Sequence, residues 1–237
     1  MLSGRRVLVV VPARGGSKGI PLKNLREVGG VPLVARVGHL VRELDFVDRA
    51  IVSTDHVEIA RVAEAAGLAA PFVRPDDLSG PIIGDQQVLE HALREMERLD
   101  GVRYDIAIML QPTSPSRTAG QVRQAATMLV DGDYDAVWTV SPTDGKAHPL
   151  KQLARGEDGR LGFYDPAGAA ITARQQLKPV FHRNGVAYVF TRECLLDQKT
   201  IMGAKTGALV IEGPIANIDT EFDLEYANWL LTRTDRP

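Results

Sequence analysis

VLVVVPARGGSKGIPLKN, residues 7–24, joins a buried strand to a cationic turn in one short segment. Val7-Leu8-Val9-Val10-Val11 is too short to span a membrane and rich in β-branched side chains, the pattern of a strand covered on both faces. Such a strand belongs to a parallel sheet. Pro12, Ala13 and Arg14 follow, then Gly15, Gly16, Ser17, Lys18 and Gly19, then Pro21, Lys23 and Asn24. The glycines let the backbone turn sharply and approach a ligand closely, and Arg14, Lys18 and Lys23 would repel one another with no anion between them. The turn therefore reads as a phosphate-binding loop, with a basic surface loop as the alternative. Neither G-x-x-x-x-G-K-[ST] nor GxGxxG describes it.

Around this segment the chain supplies a domain's worth of core. Its 237 residues, 44% of them hydrophobic, suit one domain with a small appended element. A formal net charge of −2 offers no field to draw a nucleic acid or a membrane surface, so local basic clusters need local ligands. One cysteine, Cys194, forbids an intramolecular disulfide and any cysteine-rich zinc site. No apolar run is long enough for a membrane helix, and residues 1–6 carry no signal-like segment, so a cytoplasmic protein is expected.

Beyond the loop, apolar residues from Val31 to Leu44 recur at helical spacing. Arg49–Ser53 reads as a second strand ending in Ser53-Thr54-Asp55, at the sheet edge where open α/β folds bind ligands. Asp55 is either a ligand-facing carboxylate or the N-cap of a helix over Val57–Ala66. Pro71–Asp85 holds a short strand and a turn-rich loop with Arg74 as a phosphate or sugar contact. Asp85 either caps the helix Gln86–Leu99 or accepts from a base amino group. Tyr104–Leu110 is a third strand, ending in the rigid polar turn Gln111-Pro112-Thr113-Ser114-Pro115. A helix over Ala119–Val130 and a strand over Asp135–Val140 follow. Residues 141–182 have no sustained period and should form hairpins or short helices of their own, as a small lobe. Strand character returns at Asn184–Phe190 and Ala208–Ile211, with helices over Thr191–Leu196 and Asp223–Leu231. Strands alternating with helices predict an α/β fold, a mostly parallel sheet covered on both faces.

Asn217-Ile218-Asp219-Thr220-Glu221-Phe222-Asp223 is the remaining polar station. Its carboxylates suit Mg²⁺, which takes one or two of them and completes its shell with waters and substrate phosphates. They equally suit the start of a helix. The five histidines show no metal-ligand spacing, and Cys194 has no nearby base. A cationic loop, a Mg²⁺ candidate and polar strand ends together suit nucleotidyl transfer.

The motifs Pro12-Ala13-Arg14-Gly15-Gly16-Ser17-Lys18-Gly19-Ile20-Pro21 with Lys23-Asn24, Ser53-Thr54-Asp55, Leu110-Gln111-Pro112-Thr113-Ser114-Pro115, Arg183-Asn184-Gly185 and Ile218-Asp219-Thr220 resemble the acylneuraminate cytidylyltransferases in order and over nearly the whole chain. That resemblance implies a Rossmann-like three-layer nucleotidyltransferase fold, one domain over 1–237, with a dimerisation lobe at 141–182 and a homodimer formed through it. It implies CMP transfer from CTP to the anomeric hydroxyl of a sialic acid or related 2-keto sugar acid, with Mg²⁺. Ala13, Arg14, Ser17, Lys18 and Lys23 would hold the triphosphate, Asn24 and Arg74 the ribose and phosphates, and Asp85 the cytosine. Gln111, Lys151, Arg174 and Tyr188 would meet the sugar acid, Arg174 from across the dimer. Lys23, Arg14 and Asp219 would be catalytic, with Asp219 and Asp223 at the metal.

Three departures from the family pattern stand out. Asn217 occupies the place of a second Asp, Gly80–Asp85 replaces a hydroxyl-rich segment, and Ile201-Met202 stands where a Phe pair is found in sialic acid enzymes.

Overall fold

The computed structural model describes residues 1–234. In chain order the strands and helices begin with β1 (Val7–Pro12), β2 (Glu27–Val28), β3 (Val31–Pro32), α1 (Leu33–Val41), β4 (Arg49–Ser53) and α2 (Val57–Ala65). Then come α3 (Asp85–Asp100), β5 (Ile106–Met109), α4 (Ala119–Asp131), β6 (Ala136–Pro142), β7 (Leu153–Arg155) and β8 (Leu161–Phe163). β9 (Phe181–Thr191), α5 (Arg192–Leu196), β10 (Thr206–Val210) and α6 (Glu221–Thr234) complete the order.

The chain divides into two compact units, one formed by residues 1–139, 184–209 and 214–237, the other by 140–183 and 210–213. The first is built on a six-stranded sheet in the order β10-β6-β9-β5-β1-β4. β1 runs parallel to β4 and to β5, and β9 is antiparallel to β5. Val7 to Val11 are fully buried, and their alternation sorts them into two layers. Val7, Val9 and Val11 pack with Val34 and Val37 of α1, Ile59 of α2 and Val122 of α4. Leu8 and Val10 pack with Leu89, Leu93 and Met96 of α3 and with Leu195 of α5. Burying such a side chain contributes about 1.5–3 kcal/mol, so this strand anchors both layers of the core.

Parallel pairing has one consequence for function. With Pro12 opposite Ser53 and Val10 opposite Met109, the carboxyl ends of β1, β4 and β5 share one edge of the sheet. Antiparallel β9 brings Tyr188 opposite Met109, so its incoming end reaches the same edge.

Two local details depart from the sequence reading. The helix expected from Val31 begins at Leu33, because Gly29 and Gly30, both at positive φ, close a two-residue hairpin that pairs Val28 with Val31. No strand forms among residues 71–84, where Pro71 and Pro75 flank a loop containing a single 3₁₀ turn at Asp76–Leu78. The sheet is mostly parallel, as the sequence reading expects, with β9 running antiparallel to β5.

The second unit carries the β7–β8 hairpin and four short 3₁₀ turns. His148 is buried within it, its Nδ1 accepting from the Leu150 amide at 3.2 Å and its Nε2 lying 3.0 Å from the Lys178 carbonyl.

Candidate active site

At the carboxyl edge of β1, β4 and β5 lies a cleft of about 440 Å³, within the range of ligand-binding pockets. Its lining includes Arg14, Ser17, Lys18, Lys23 and Asn24 from the glycine loop, Arg74 and Asp85 from either end of the turn-rich segment, Gln111 after β5, and Asp219. Eight of the residues expected to touch substrate thus meet in one place with Asp219, expected at the metal.

The loop is held by side chains rather than by a regular ladder. The Gly15 amide donates to Asp55 Oδ1 at 2.7 Å, and buried Asn24 donates from Nδ2 to the Arg14 carbonyl at 3.0 Å. Arg14 reaches across the cleft, its Nη1 donating to the Gly80 carbonyl at 2.7 Å. Two glycines are required by space. A Cβ at Gly15 would come within 2.9 Å of His56 Cδ2, and one at Gly19 would overlap the Asp219 carbonyl oxygen. The loop can lie against the C-terminal station only because these side chains are missing.

Lys23 spans that junction. Its Nζ donates to the Ile218 carbonyl at 2.7 Å and to Asp219 Oδ1 at 2.9 Å, with the lysine side chain 15% exposed and the aspartate 75%. The ammonium is largely sheltered while the carboxylate faces water, so the carboxylate is the partner free to turn to a ligand. Ile218 is itself fixed, its amide donating to the Thr113 carbonyl at 2.9 Å.

Arg74 is buried, its Nε donating to Ser53 Oγ at 3.0 Å and its Nη2 to the Ser53 carbonyl. Burial lowers its pKa to about 10, Asp55 and Asp85 oppose that, and Arg14 adds to it. At neutral pH it therefore remains a charged guanidinium in a site of low dielectric, where an anion is bound more strongly than at the surface.

Other expected residues lie outside the cleft lining. Ala13 is fully buried and bonds through its amide to the Ser53 carbonyl at 3.0 Å. Tyr188 is buried edge-on against Trp138, its hydroxyl accepting from the Gly185 amide at 2.9 Å. Lys151 and Arg174 are exposed residues of the second unit. Asp223 is a capping residue: its Oδ2 accepts from the Asp219 and Thr220 amides and the Thr220 hydroxyl, and the Thr220 hydroxyl accepts from the Asp223 amide. Of the two carboxylates expected at a metal, Asp219 is the one that lines the cleft.

Two caps differ from the sequence reading. His56, not Asp55, caps α2, its Nδ1 accepting from the Glu58 amide at 3.2 Å, which leaves Asp55 for the loop. Gly84 occupies the cap position before α3, and Asp85 is the first helical residue. Sequence reasoning missed Arg117, which donates to the Gln111 carbonyl and, at 2.9 Å, to the Gly185 carbonyl. An arginine following a proline-rich turn carries no spacing signal that would have marked it.

A cationic glycine loop, a buried arginine and a cleft-facing carboxylate at the carboxyl edge of a largely parallel sheet define a nucleotide-binding enzyme of the nucleotidyltransferase class. The chain belongs to the cytidylyltransferase family, whose model matches residues 8–228, and is accordingly a CTP-dependent nucleotidyltransferase. CMP-N,N'-diacetyllegionaminic acid synthase of Legionella pneumophila is 29% identical over 226 residues, covering 94% of each chain. Pseudaminic acid cytidylyltransferase of Campylobacter jejuni is 26% identical, with 94% of this chain and 95% of that protein covered. Among solved structures, a CMP:2-keto-3-deoxy-manno-octonic acid synthetase complexed with CTP has the same fold, with a TM-score of 0.70 at 19% identity over 97% of this chain and 99% of its own.

Proposed function

We propose that this enzyme transfers CMP from CTP to the anomeric hydroxyl of a nonulosonic acid, a nine-carbon 2-keto sugar acid of the legionaminic or pseudaminic type, and releases pyrophosphate. The observation that carries this reading is the meeting of Lys23 with Asp219 in a cleft that also presents Arg14, Lys18 and Arg74. The sugar hydroxyl attacks the α-phosphorus, the bond from that phosphorus to the bridging oxygen breaks, and negative charge passes to the leaving pyrophosphate. Fixed cations at that position stabilise the charge as it develops, without reorganisation during the step. Gln111, which also lines the cleft, has an amide suited to the acid or hydroxyls of the sugar.

The donor set fits Mg²⁺ in its substrate-assisted mode. Among the described residues no group of three or more His, Cys, Asp or Glu side chains is arranged to hold a metal, but Asp219 offers one exposed carboxylate beside the phosphate-binding cations. Asp219 would hold the ion, with triphosphate oxygens and water supplying the rest of its shell. When bound, Mg²⁺ supplies charge neutralisation on the phosphates and orients them for displacement. Asn217, exposed two residues before Asp219, brings an amide rather than a second charge.

The exposed apolar side chains Leu153, Leu161, Phe163 and Tyr164 in the second unit support a homodimer formed through that unit, with Lys151 and Arg174 serving the sugar acid. A CTP substrate and a buried, unpaired Cys194 support a cytoplasmic location, and no helix among the described residues is long and apolar enough to cross a membrane.

A pyrophosphate-release assay with CTP, Mg²⁺ and a panel of acceptors tests the reading. Release with a nonulosonic acid, and with CTP in preference to ATP, UTP or GTP, is expected. Release only with an octulosonate or a phosphonate, or with no acid at all, would overturn it.

A further inference from the structure

A second cavity, of about 220 Å³, lies between α1 and the turn after β5. Arg36 and His39 of α1 line it, three residues apart and so on one helix face, together with Ser114 and Arg117 from the turn and Glu43. Arg117 is 7% exposed and, among the described residues, has no carboxylate partner. Its Nη2 donates to the Gln111 and Gly185 carbonyls, but its Nε and Nη1, like the neighbouring Ser116 Oγ, are buried without a hydrogen-bond partner. Leaving such donors unmet is costly, and a buried guanidinium with unmet donors and no counter-charge is costlier still. Burial lowers its pKa to about 9, with Tyr188 opposing, so it is still a cation at neutral pH.

We propose that this cavity is a second oxyanion site, taking a phosphate-sized anion on Arg117 with Arg36 and His39 beside it. The volume is below that usual for pockets that bury drug-sized ligands and leaves room for a tetrahedral anion. The unmet Nε and Nη1 of Arg117, which carry three N–H bonds between them, supply the charge and the donors such an anion needs. The site stands apart from the triphosphate cleft although the two share a wall, because Pro112 lines both. The turn between them carries Gln111 and the Thr113 carbonyl that fixes Ile218.

Inorganic phosphate is the probe, titrated by calorimetry into protein already saturated with CTP and given no acceptor, so that the triphosphate loop is blocked. One phosphate per chain should bind. His39→Glu, an exposed substitution that adds a negative charge at the cavity, should weaken it at least about tenfold while CTP affinity is unchanged. Arg117→Met should abolish it, and if that variant fails to fold, His39→Glu alone decides. Parallel titrations with pyrophosphate and acetate separate a site for single phosphates from one for the reaction's product or for any carboxylate. A crystal grown in phosphate should place the anion within hydrogen-bond reach of Arg117 Nη1. Water alone at that position, no uptake by the CTP-loaded protein, or equal uptake by His39→Glu would each overturn the proposal. Failure of CTP itself to bind would instead count against the main functional reading, and the crystal would still decide this one.

Discussion

Lys23 is the residue on which the two halves of the cleft converge, since its ammonium touches both the Ile218 carbonyl and Asp219 while its stem rises from the glycine loop. Lys23→Ala removes a fixed cation from the cleft and, on the proposed mechanism, should lower kcat by about 10²–10³, the range for one preorganised donor. Its ion pair has a largely exposed partner and contributes at most about 1 kcal/mol, so the melting temperature should fall by only about 2–4 °C. Steady-state kinetics beside a thermal melt read both, and a variant that melts normally but keeps full turnover would remove Lys23 from the mechanism. Asp55 holds the loop through the Gly15 amide, and in the proposed mechanism it would act on the substrate only through that loop. Asp55→Ala frees the Gly15 amide and should raise the KM for CTP about tenfold, roughly the energy of one charge-assisted bond, with kcat much less affected. Asp55→Asn retains an acceptor oxygen and should recover most of the loss, a rescue that a purely electrostatic role would not give. At this scale the cations were legible because they crowd into one glycine-rich turn after a buried strand, and Asp219 because it stands in an acidic station before α6. Asp55 was legible only as one of two alternatives, because nothing in the sequence says that His56 takes the cap.

The longer helices were legible from period and the core strands from composition, because a short run rich in β-branched residues such as Val7–Val11 reads as a strand buried on both faces. What period does not carry is direction. β9 and β5 have the same composition whether they pair parallel or antiparallel, so the reversed strand emerged only in the fold. The start of α6 is a case where two readings of one acidic cluster separate. Burial pushes the Asp223 carboxyl up, but the Thr220 hydroxyl, the Asp219 and Thr220 amides and Lys23 together hold it below the ordinary range. A depressed carboxyl contributes stability above its unfolded pKa of about 3.9, and that contribution is lost as pH falls through the folded value. Asp223→Asn should therefore cost about 1 kcal/mol at neutral pH, as losses of caps do, and the gap from the parent should close as pH falls below about 4. Urea denaturation at a series of pH values measures this. A gap that persists at pH 2 would mean that the side chain acts through shape rather than charge.

Composition at the scale of the whole chain indicated a globular protein with local rather than global electrostatics, but it could not say where Lys151 and Arg174 act. Both are exposed residues of the second unit, whose apolar hairpin has no reason in a monomer to expose Leu161 and Tyr164. If that unit pairs two copies and Arg174 serves the cleft of the other copy, each cleft draws residues from two chains, and the two roles can be separated genetically. Lys23→Ala and Arg174→Ala dimers should each be nearly inactive. Mixed through a denature–refold cycle, they should form heterodimers in which one cleft has lost both residues and the other has lost neither. With random pairing in a two-fold dimer, about a quarter of the parental activity should return. Light scattering reports whether the species are dimers, and a pair of substitutions such as Leu161→Glu with Phe163→Glu should shift them to monomers and abolish the recovery. Activity that stays at the level of the separate variants, in a mixture shown to contain heterodimers, would place Arg174 in its own chain's cleft or outside the reaction.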